Sequence, residues 1–92
     1  MKRAILTPEI RAQLRAWPKK DRREIGSAIT QLEQSFGQPH LHRGLGIRPL
    51  RDGYYEIRLG LRARLVFRNA SEGLVCEMVG SHDEVRRFLK GH

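Results

Sequence analysis

Three strand-like runs lie within residues 54–82, and their alternation constrains the fold more than any other feature of the chain. Side chains two residues apart on a strand point to the same face. The middle run therefore has an apolar face, formed by Ala63, Leu65 and Phe67. The opposite face, here called the arginine face, carries four guanidinium groups over the first two runs: Arg58, Arg62, Arg64 and Arg68. A sheet with one dry face and a row of arginines on the other is suited to holding phosphates.

Two amphipathic helices are predicted before these strands. Thr7 and Pro8 are typical of a helix start, and Ile10, Leu14 and Trp17 then form one apolar stripe. Apolar residues at helical spacing predict a second helix over residues 18–36, with Gly37 as its C-terminal cap. Gly26 inside this helix suggests close packing. Because each helix has one apolar stripe, we expect a helical hairpin against the dry face of the sheet.

The connecting segments have weaker patterns. Residues 2–6 are compatible with an edge strand. Residues 40–53 are rich in glycine, proline, histidine and arginine without a sustained period, which predicts a loop with a short strand near residues 47–50. Gly60 and Leu61 are compatible with a two-residue turn between the first two strands.

A last helix is predicted over residues 83–90, because Ser81 and Glu84 have the spacing of a capping box. The chain is therefore expected to be a single domain over residues 1–92 of the α+β class. We expect an antiparallel sheet of three to four strands, the helical hairpin on one face, and a short C-terminal helix.

The charge of the chain favours an anionic partner. The formal net charge is +8, and 14 of the 18 basic residues are arginines. Residues 43–68 contain seven arginines against Asp52 and Glu56. Clustering of this kind indicates nucleic acid more often than any other ligand. The alternative is an arginine-rich composition that serves no ligand.

The cysteine content and the hydropathy of the chain predict the cellular compartment in which the protein works. Cys76 is the only cysteine and lies in an apolar run, which predicts a buried, inert thiol in a reducing environment. No run approaches the roughly 20 apolar residues of a membrane span, and no apolar signal segment follows Lys2 and Arg3. We expect a cytoplasmic protein that does not associate with membranes.

The sequence contains no metal-binding or nucleotide-binding motif, and we expect neither a metal nor a small-molecule cofactor. His40 and His42 have no acid or cysteine nearby, so a solvated loop or a phosphate contact is favoured over a metal site. RNA cleavage needs no metal, because the 2′-hydroxyl of the substrate can attack the adjacent phosphorus. The protein must position the backbone, stabilise the transition-state charge and transfer two protons.

Arg58 and Arg64 are expected to be neighbours on facing strands. Two facing arginines repel each other unless an anion lies between them. Either the pair binds phosphate, or it lies on a solvated face and pairs with nearby acids. Glu56 shares this predicted face, and we favour a salt-bridge role for it over that of a base.

His82 and two tyrosines complete the set of candidates. His82 lies where the last strand meets the last helix, and the positive end of a helix favours a neutral, base-competent imidazole. An incidental polar residue in a capping segment is the equally weighted alternative. Tyr54 and Tyr55 alternate faces, so one is predicted to lie in the core and the other to be available for stacking on a base.

The ordered segments YEIRLG, RARLVF and LVCEMVGSHDEVRRFL resemble the RelE/ParE superfamily of bacterial type II toxins, on its RelE-like side. The resemblance covers residues 41–88, and the N-terminal half matches in layout only. It implies a ribosome-dependent mRNA endonuclease that inhibits translation and a cognate antitoxin that covers the basic face. It also implies catalytic positions at Arg64, Arg58 and His82. We assign RNA binding to four further arginines: Arg62, Arg43, Arg48 and Arg68.

The chain departs from the pattern of this family at two positions. Ala63 stands where a tyrosine usually precedes the central arginine, and Phe88 lies near the position of a C-terminal catalytic tyrosine found in some members. These departures leave the identity of the general acid open. Two other functions are alternatives to the endonuclease. One is a ParE-like, non-enzymatic inhibitor of DNA gyrase. The other is an inactive module that binds RNA or an antitoxin.

Overall fold

The computed structural model describes residues 2–60 and 63–91, with the side chains of these residues except 39, 42 and 43. Five strands and four helices lie in this part of the chain. In chain order they are β1 (Ala4–Leu6), α1 (Pro8–Arg15), α2 (Lys19–Ser35), α3 (Pro39–Leu45), β2 (Arg48–Pro49), β3 (Tyr54–Leu59), β4 (Ala63–Ala70), β5 (Gly73–Gly80) and α4 (His82–Lys90). None of the four helices is long and apolar enough to cross a membrane.

The strands form one sheet in the order β1-β5-β4-β3-β2. The α+β class and the antiparallel pairing of β2 to β5 are confirmed. The expected three to four strands were too few, and the sheet is mixed because β1 pairs with β5 in parallel. Strand alternation specifies which side chains share a face but not which distant strand lies alongside. Three helices and three strands lie between the three-residue β1 and its neighbour β5 in the chain.

The predicted helical hairpin packs on the apolar face of the sheet. α2 begins and ends within one residue of its prediction, and Gly37 has the expected positive φ of 85°. Phe36, at the end of α2, contacts the rings of Tyr55 and Phe67 edge-on, with centroids 5.2 and 5.8 Å away. The helices and strands share one core of buried side chains: Ile10, Ile25, Leu32, Ile47, Ile57, Leu65, Phe67, Leu74, Cys76 and Val79.

The prediction of a continuous loop after α2 is wrong over residues 39–45, which form α3. Proline and glycine lower the helical propensity of this segment, but proline is well accepted in the first turn of a helix. Gly46 follows the helix with a φ of 77°. Leu41 and Leu45, four residues apart, were the sequence signal for this helix, although Leu41 remains 57% exposed. The short strand predicted near residues 47–50 is confirmed as β2.

The connection between β3 and β4 also differs from its prediction. Leu59 pairs with Ala63, so three residues separate the paired strand ends instead of two. Gly60 has a φ of 71°, a backbone conformation that favours glycine. The strand was predicted to begin at Arg62, which lies outside the described residues.

The C-terminal helix packs on the second face of the sheet, opposite the hairpin. The predicted capping box is confirmed: the Ser81 hydroxyl accepts from the Glu84 amide, and the Glu84 carboxylate accepts from the Ser81 amide. Tyr54, which points to this face, contacts Phe88 edge-on at a centroid distance of 5.5 Å. Arg51 donates a hydrogen bond to the carbonyl of Leu89 and so anchors the end of α4. α4 therefore covers part of the face that carries the arginines.

Candidate nucleic-acid interface

Arg58 and Arg64 lie directly opposite each other on β3 and β4, as the strand pattern predicted. Residues paired in this way have their Cβ atoms about 5 Å apart, so the two guanidinium groups leave the sheet on the same side. Arg58 is exposed, whereas Arg64 is half-buried. The arginine face therefore concentrates positive charge at the end of the sheet where β3 and β4 meet.

Arg64 forms an ion pair with the buried carboxylate of Glu56. Its Nε lies 3.5 Å from Oε2 of Glu56, and Glu56 is only 7% exposed. This Nε is buried and makes no hydrogen bond within the described residues, so the contact is an ion pair without hydrogen-bond alignment. The salt-bridge role predicted for Glu56 is what the structure shows. A carboxylate so buried is placed to orient Arg64, since little of it reaches solvent.

Two further arginines extend the arginine face. Arg48 on β2 is exposed and lies opposite Glu56 in the strand register. Arg68 lies opposite Tyr54, and its Nε is 3.9 Å from Oε1 of Glu77. The side chain of Arg68 is 40% exposed, so this ion pair is in contact with solvent and contributes little to stability.

The remaining predicted RNA contacts are not part of the described interface. Arg62 falls outside the described residues. The backbone of Arg43 lies in α3, and its side chain is not described. The described interface therefore consists of Arg48, Arg58, Arg64 and Arg68.

His82 is brought to the same end of the sheet as Arg64. Arg64 pairs with Gly80 on β5, and His82 follows Gly80 by two residues as the first residue of α4. Two residues span at most about 7 Å of backbone, so the His82 backbone lies close to the Arg58–Arg64 pair. The side chain is exposed.

The capping box fixes the backbone on both sides of His82. A Cβ built on Gly80 would meet the Cβ of Glu84 at 3.0 Å, so the first turn of α4 lies directly on the end of β5. Hydrogen bonds with the Ser81 amide and hydroxyl hold the pKa of Glu84 below its ordinary value of 4.5. His82 therefore sits on a rigid strand-to-helix junction, which suits a group that must be positioned against a substrate.

The two tyrosines divide between the faces as expected. Tyr55 stacks on Phe67 in the core, with ring centroids 5.5 Å apart and planes 15° from parallel. Tyr54 is half-buried on the arginine face, where its ring packs against Phe88. Phe88 is thus an apolar partner of Tyr54.

Cys76 takes no part in the interface. It lies in the core on β5, and burial, followed by the charges of Glu33 and Glu77, raises the pKa of its thiol to about 12. The thiol is therefore neutral at physiological pH, in agreement with the prediction of an inert cysteine. Among the described residues, no group of three or more histidine, cysteine or acidic side chains is placed to hold a metal ion.

A cavity that the sequence did not predict lies on the hairpin side of the sheet. Its volume is about 570 Å³, and its lining includes Trp17, Leu59 and Ala63. Ala63 is on this side because it neighbours Arg64 along the strand and so points to the opposite face. Ala63 therefore lines the cavity beneath the sheet and is not part of the arginine face.

Comparison with known proteins identifies the fold. The fold matches the isolated Escherichia coli RelE toxin with a TM-score of 0.66 and 14% identity, over 100% of both chains. A chain of the RelB-RelE antitoxin-toxin complex from Methanococcus jannaschii matches with a TM-score of 0.68 and 17% identity, over 91% of this chain and 96% of that one. A chain of the YoeB-YefM complex from Staphylococcus aureus matches with a TM-score of 0.62 and 17% identity, over 89% and 98%.

These likenesses are structural. No protein-family model matches the sequence, and no curated protein matches it. The chain has a RelE-like fold, as the resemblance of its ordered segments implied.

Proposed function

We propose that this chain is the toxin of a type II toxin–antitoxin system and acts as a ribosome-dependent, metal-independent mRNA endonuclease. The observation that carries the proposal is the pairing of Arg58 with Arg64 beside the β5–α4 junction that holds His82. The RelE-like fold supports the same conclusion, because it places this arrangement on a sheet face that the helical hairpin leaves uncovered.

Arginine charge can replace a metal in this reaction. The 2′-oxygen attacks phosphorus and loses its proton, the bond from phosphorus to the 5′-oxygen breaks, and a proton reaches that oxygen. The products are a 2′,3′-cyclic phosphate and a 5′-hydroxyl. Arg64 stabilises the negative charge that develops on the phosphorane-like transition state, and Arg58 holds the backbone. His82 transfers a proton at one of the two oxygens.

The other residues position the substrate and the reacting groups. Glu56 orients Arg64 through the 3.5 Å ion pair. Arg48 and Arg68 bind phosphates on either side of the cut, and we assign the same role to Arg43 and Arg62. These contacts involve the backbone of the RNA and so carry no base preference of their own.

A cognate antitoxin is the expected protein partner. Two of the structural neighbours were solved as antitoxin–toxin complexes, RelB-RelE and YoeB-YefM. A chain with a net charge of +8 would bind RNA nonspecifically, and a partner that covers the arginine face would suppress that binding. A protein that acts on ribosomes would work in the cytoplasm, which is the location we propose.

Replacing Arg64 tests the proposed catalysis. Arg64→Ala should lower the rate of mRNA cleavage about 10²–10³-fold, because a preorganised donor at the transition state is lost. The measurement is the mapping of new mRNA 5′ ends after controlled expression. Arg23→Ala, which removes one exposed arginine from α2, is the matched control and should cut normally. A folded Arg64→Ala protein that cuts as well as the wild type would remove Arg64 from the mechanism.

Ribosome and metal dependence are tested in a purified system. Cleavage should require ribosomes. Metal independence is tested at constant Mg²⁺, which ribosomes need, with a phosphorothioate at the cut: thiophilic ions such as Mn²⁺ should not restore any lost rate, because neither the nucleophile nor the charge stabilisation depends on a metal. Intact mRNA together with an induced DNA-damage response would instead favour gyrase inhibition. Intact mRNA without that response would favour the inactive binding module.

A further inference from the structure

A second concentration of positive charge lies on the helical hairpin. Residues 2–23 contain eight lysines and arginines against Glu9 and Asp21, a net charge of +6. All eight basic side chains are exposed. This segment belongs to β1, α1 and the start of α2, and the helices lie on the other side of the sheet from the arginine face.

Three of these arginines converge on one depression. Arg11 and Arg15 on α1, together with Arg22 on α2, line a cavity of about 380 Å³ around Leu14. We call these three arginines the hairpin cluster. Arg11 and Arg15 are four residues apart, so they lie on the same side of the helix, where like charges repel. None of the described residues that line this cavity is acidic.

The hairpin cluster differs in its pairing from two arginines of the sheet. Arg64 and Arg68 each have a carboxylate oxygen within 4 Å. Within residues 2–60 and 63–91, no member of the hairpin cluster has one. Arg11 is nevertheless held in place, because its Nε donates to the carbonyl of Leu6 at 3.3 Å. Uncompensated guanidinium groups held together in this way are stabilised by a bound anion.

The character of the cluster favours a phosphate backbone as that anion. Its charged groups are all arginines, whose planar forks match phosphate oxygens. The described lining contains no aromatic ring on which a base could stack, and Leu14 is half-buried against the core. An acidic peptide would need apolar surface to bind as well, and Leu14 is the one apolar residue that the described lining offers. The cluster is therefore suited to backbone contacts that are independent of base sequence.

We propose that the hairpin cluster is a second RNA-binding surface, which holds the backbone of another RNA segment while the arginine face holds the strand to be cut. The sheet and the helical layer separate the two surfaces, so each can be occupied without the other. The inference rests on the proposed function only in taking RNA as the ligand, and it requires no cleavage.

The number of RNA molecules bound per protein tests this proposal. The probe is a short single-stranded RNA with 2′-O-methyl groups throughout, which cannot be cleaved, and binding is measured by calorimetry across a salt series. The wild type should bind two RNA molecules per chain. Arg11→Gln with Arg15→Gln should leave one, or weaken the second binding step with a salt slope shallower by about 1.4, at roughly 0.7 per phosphate contact.

A matched variant separates this effect from a general loss of charge. Arg87→Gln with Lys90→Gln removes two charges one turn apart on α4 and should leave both binding steps in place. Thermal melts show whether each variant is folded. One RNA per wild-type chain, or equal losses in the two double variants, would overturn the proposal. So would a hairpin variant that loses affinity for polyglutamate but not for RNA. Failure of the endonuclease proposal would leave this stoichiometry unchanged.

Discussion

At the residue scale, one ion pair decides how the arginine face is organised. Arg64 and Glu56 are mostly buried, with side-chain exposures of 16% and 10%, whereas Arg58 is exposed. The two facing arginines are therefore not equivalent. Arg64 is held in one orientation by Glu56, whereas the exposed side chain of Arg58 can move with a substrate. This asymmetry supports the separate roles that we propose for them.

Removing the charge of Glu56 should affect both stability and cleavage. Glu56→Gln leaves a mostly buried guanidinium without a counter-ion, which we expect to lower the free energy of unfolding by about 1–3 kcal/mol. Cleavage should also fall, because Arg64 is no longer oriented. Urea unfolding and 5′-end mapping are the measurements.

A double-mutant cycle provides the control for this effect. In an Arg64→Gln background, Glu56→Gln should lower the free energy of unfolding by clearly less. The guanidinium that would lose its counter-ion is already absent from this background. Additive losses of stability would show that the two residues do not interact.

At the scale of elements, the junction between β5 and α4 connects the sheet to the proposed chemistry. The capping box is local in sequence, and it holds His82 between two hydrogen-bonded residues, Ser81 and Glu84. Gly80 allows the helix to start directly above the strand. Residues 80–84 thus end β5, start α4 and bring the backbone of His82 close to Arg64.

The cap should make the stability of α4 depend on pH in acid. The folded-state pKa of Glu84 is lowered, so its contribution is fully present above the ordinary value of 4.5 and is lost as the pH falls through the folded value. Ser81→Ala should cost about 0.5–2 kcal/mol near pH 7 through loss of the hydroxyl cap. This variant keeps the Ser81 amide that donates to the Glu84 carboxylate, so the pH dependence is measured on Glu84→Gln. The difference in urea stability between Glu84→Gln and the wild type should narrow below pH 4.5. A difference that stays constant down to pH 3 would contradict the role of Glu84.

At the scale of the whole molecule, the parallel pairing of β1 with β5 joins the two ends of the chain. Leu74 donates to the carbonyl of Arg3 at 2.8 Å, and Glu33 on α2 accepts from the amide of Ala4 at the same distance. Beyond the end of β1, the side-chain amide of Gln13 accepts from the Val79 amide at 3.3 Å and donates to its carbonyl. The edge of β5 is therefore covered along most of its length.

Two glycine-to-alanine substitutions should have opposite effects. At Gly73 a Cβ would lie 2.5 Å from the carbonyl oxygen of Arg3, and φ is 152°, so Gly73→Ala should force β1 away from β5 and lower stability by about 1–3 kcal/mol. At Gly26 nothing lies within 4 Å of a Cβ, so Gly26→Ala should raise stability by about 1 kcal/mol through helix propensity. Thermal and urea unfolding measure both. Equal effects of the two changes would show that the β1–β5 contact is not tight.

The same two glycines show which packing features could not be predicted from the sequence. The suggestion that Gly26 permits close packing was wrong, because its surroundings are open, whereas the close approach at Gly73 had no local signal. Likewise, α3 was missed because its propensity is low and its packing against α2 is not visible in a short window. Such features depend on residues that are distant in the chain.

By itself the sequence determined the local and periodic features of this protein: both hairpin helices, the capped α4, β3 to β5, and the division of side chains between the two sheet faces. These follow from periods of two and 3.6 residues and from capping residues, which act over one or two turns of chain. Only the tertiary structure decided the parallel β1, the burial of Glu56 behind Arg64 and the convergence of the hairpin cluster. Each of these depends on which distant segments meet, and that is set by packing of the whole core.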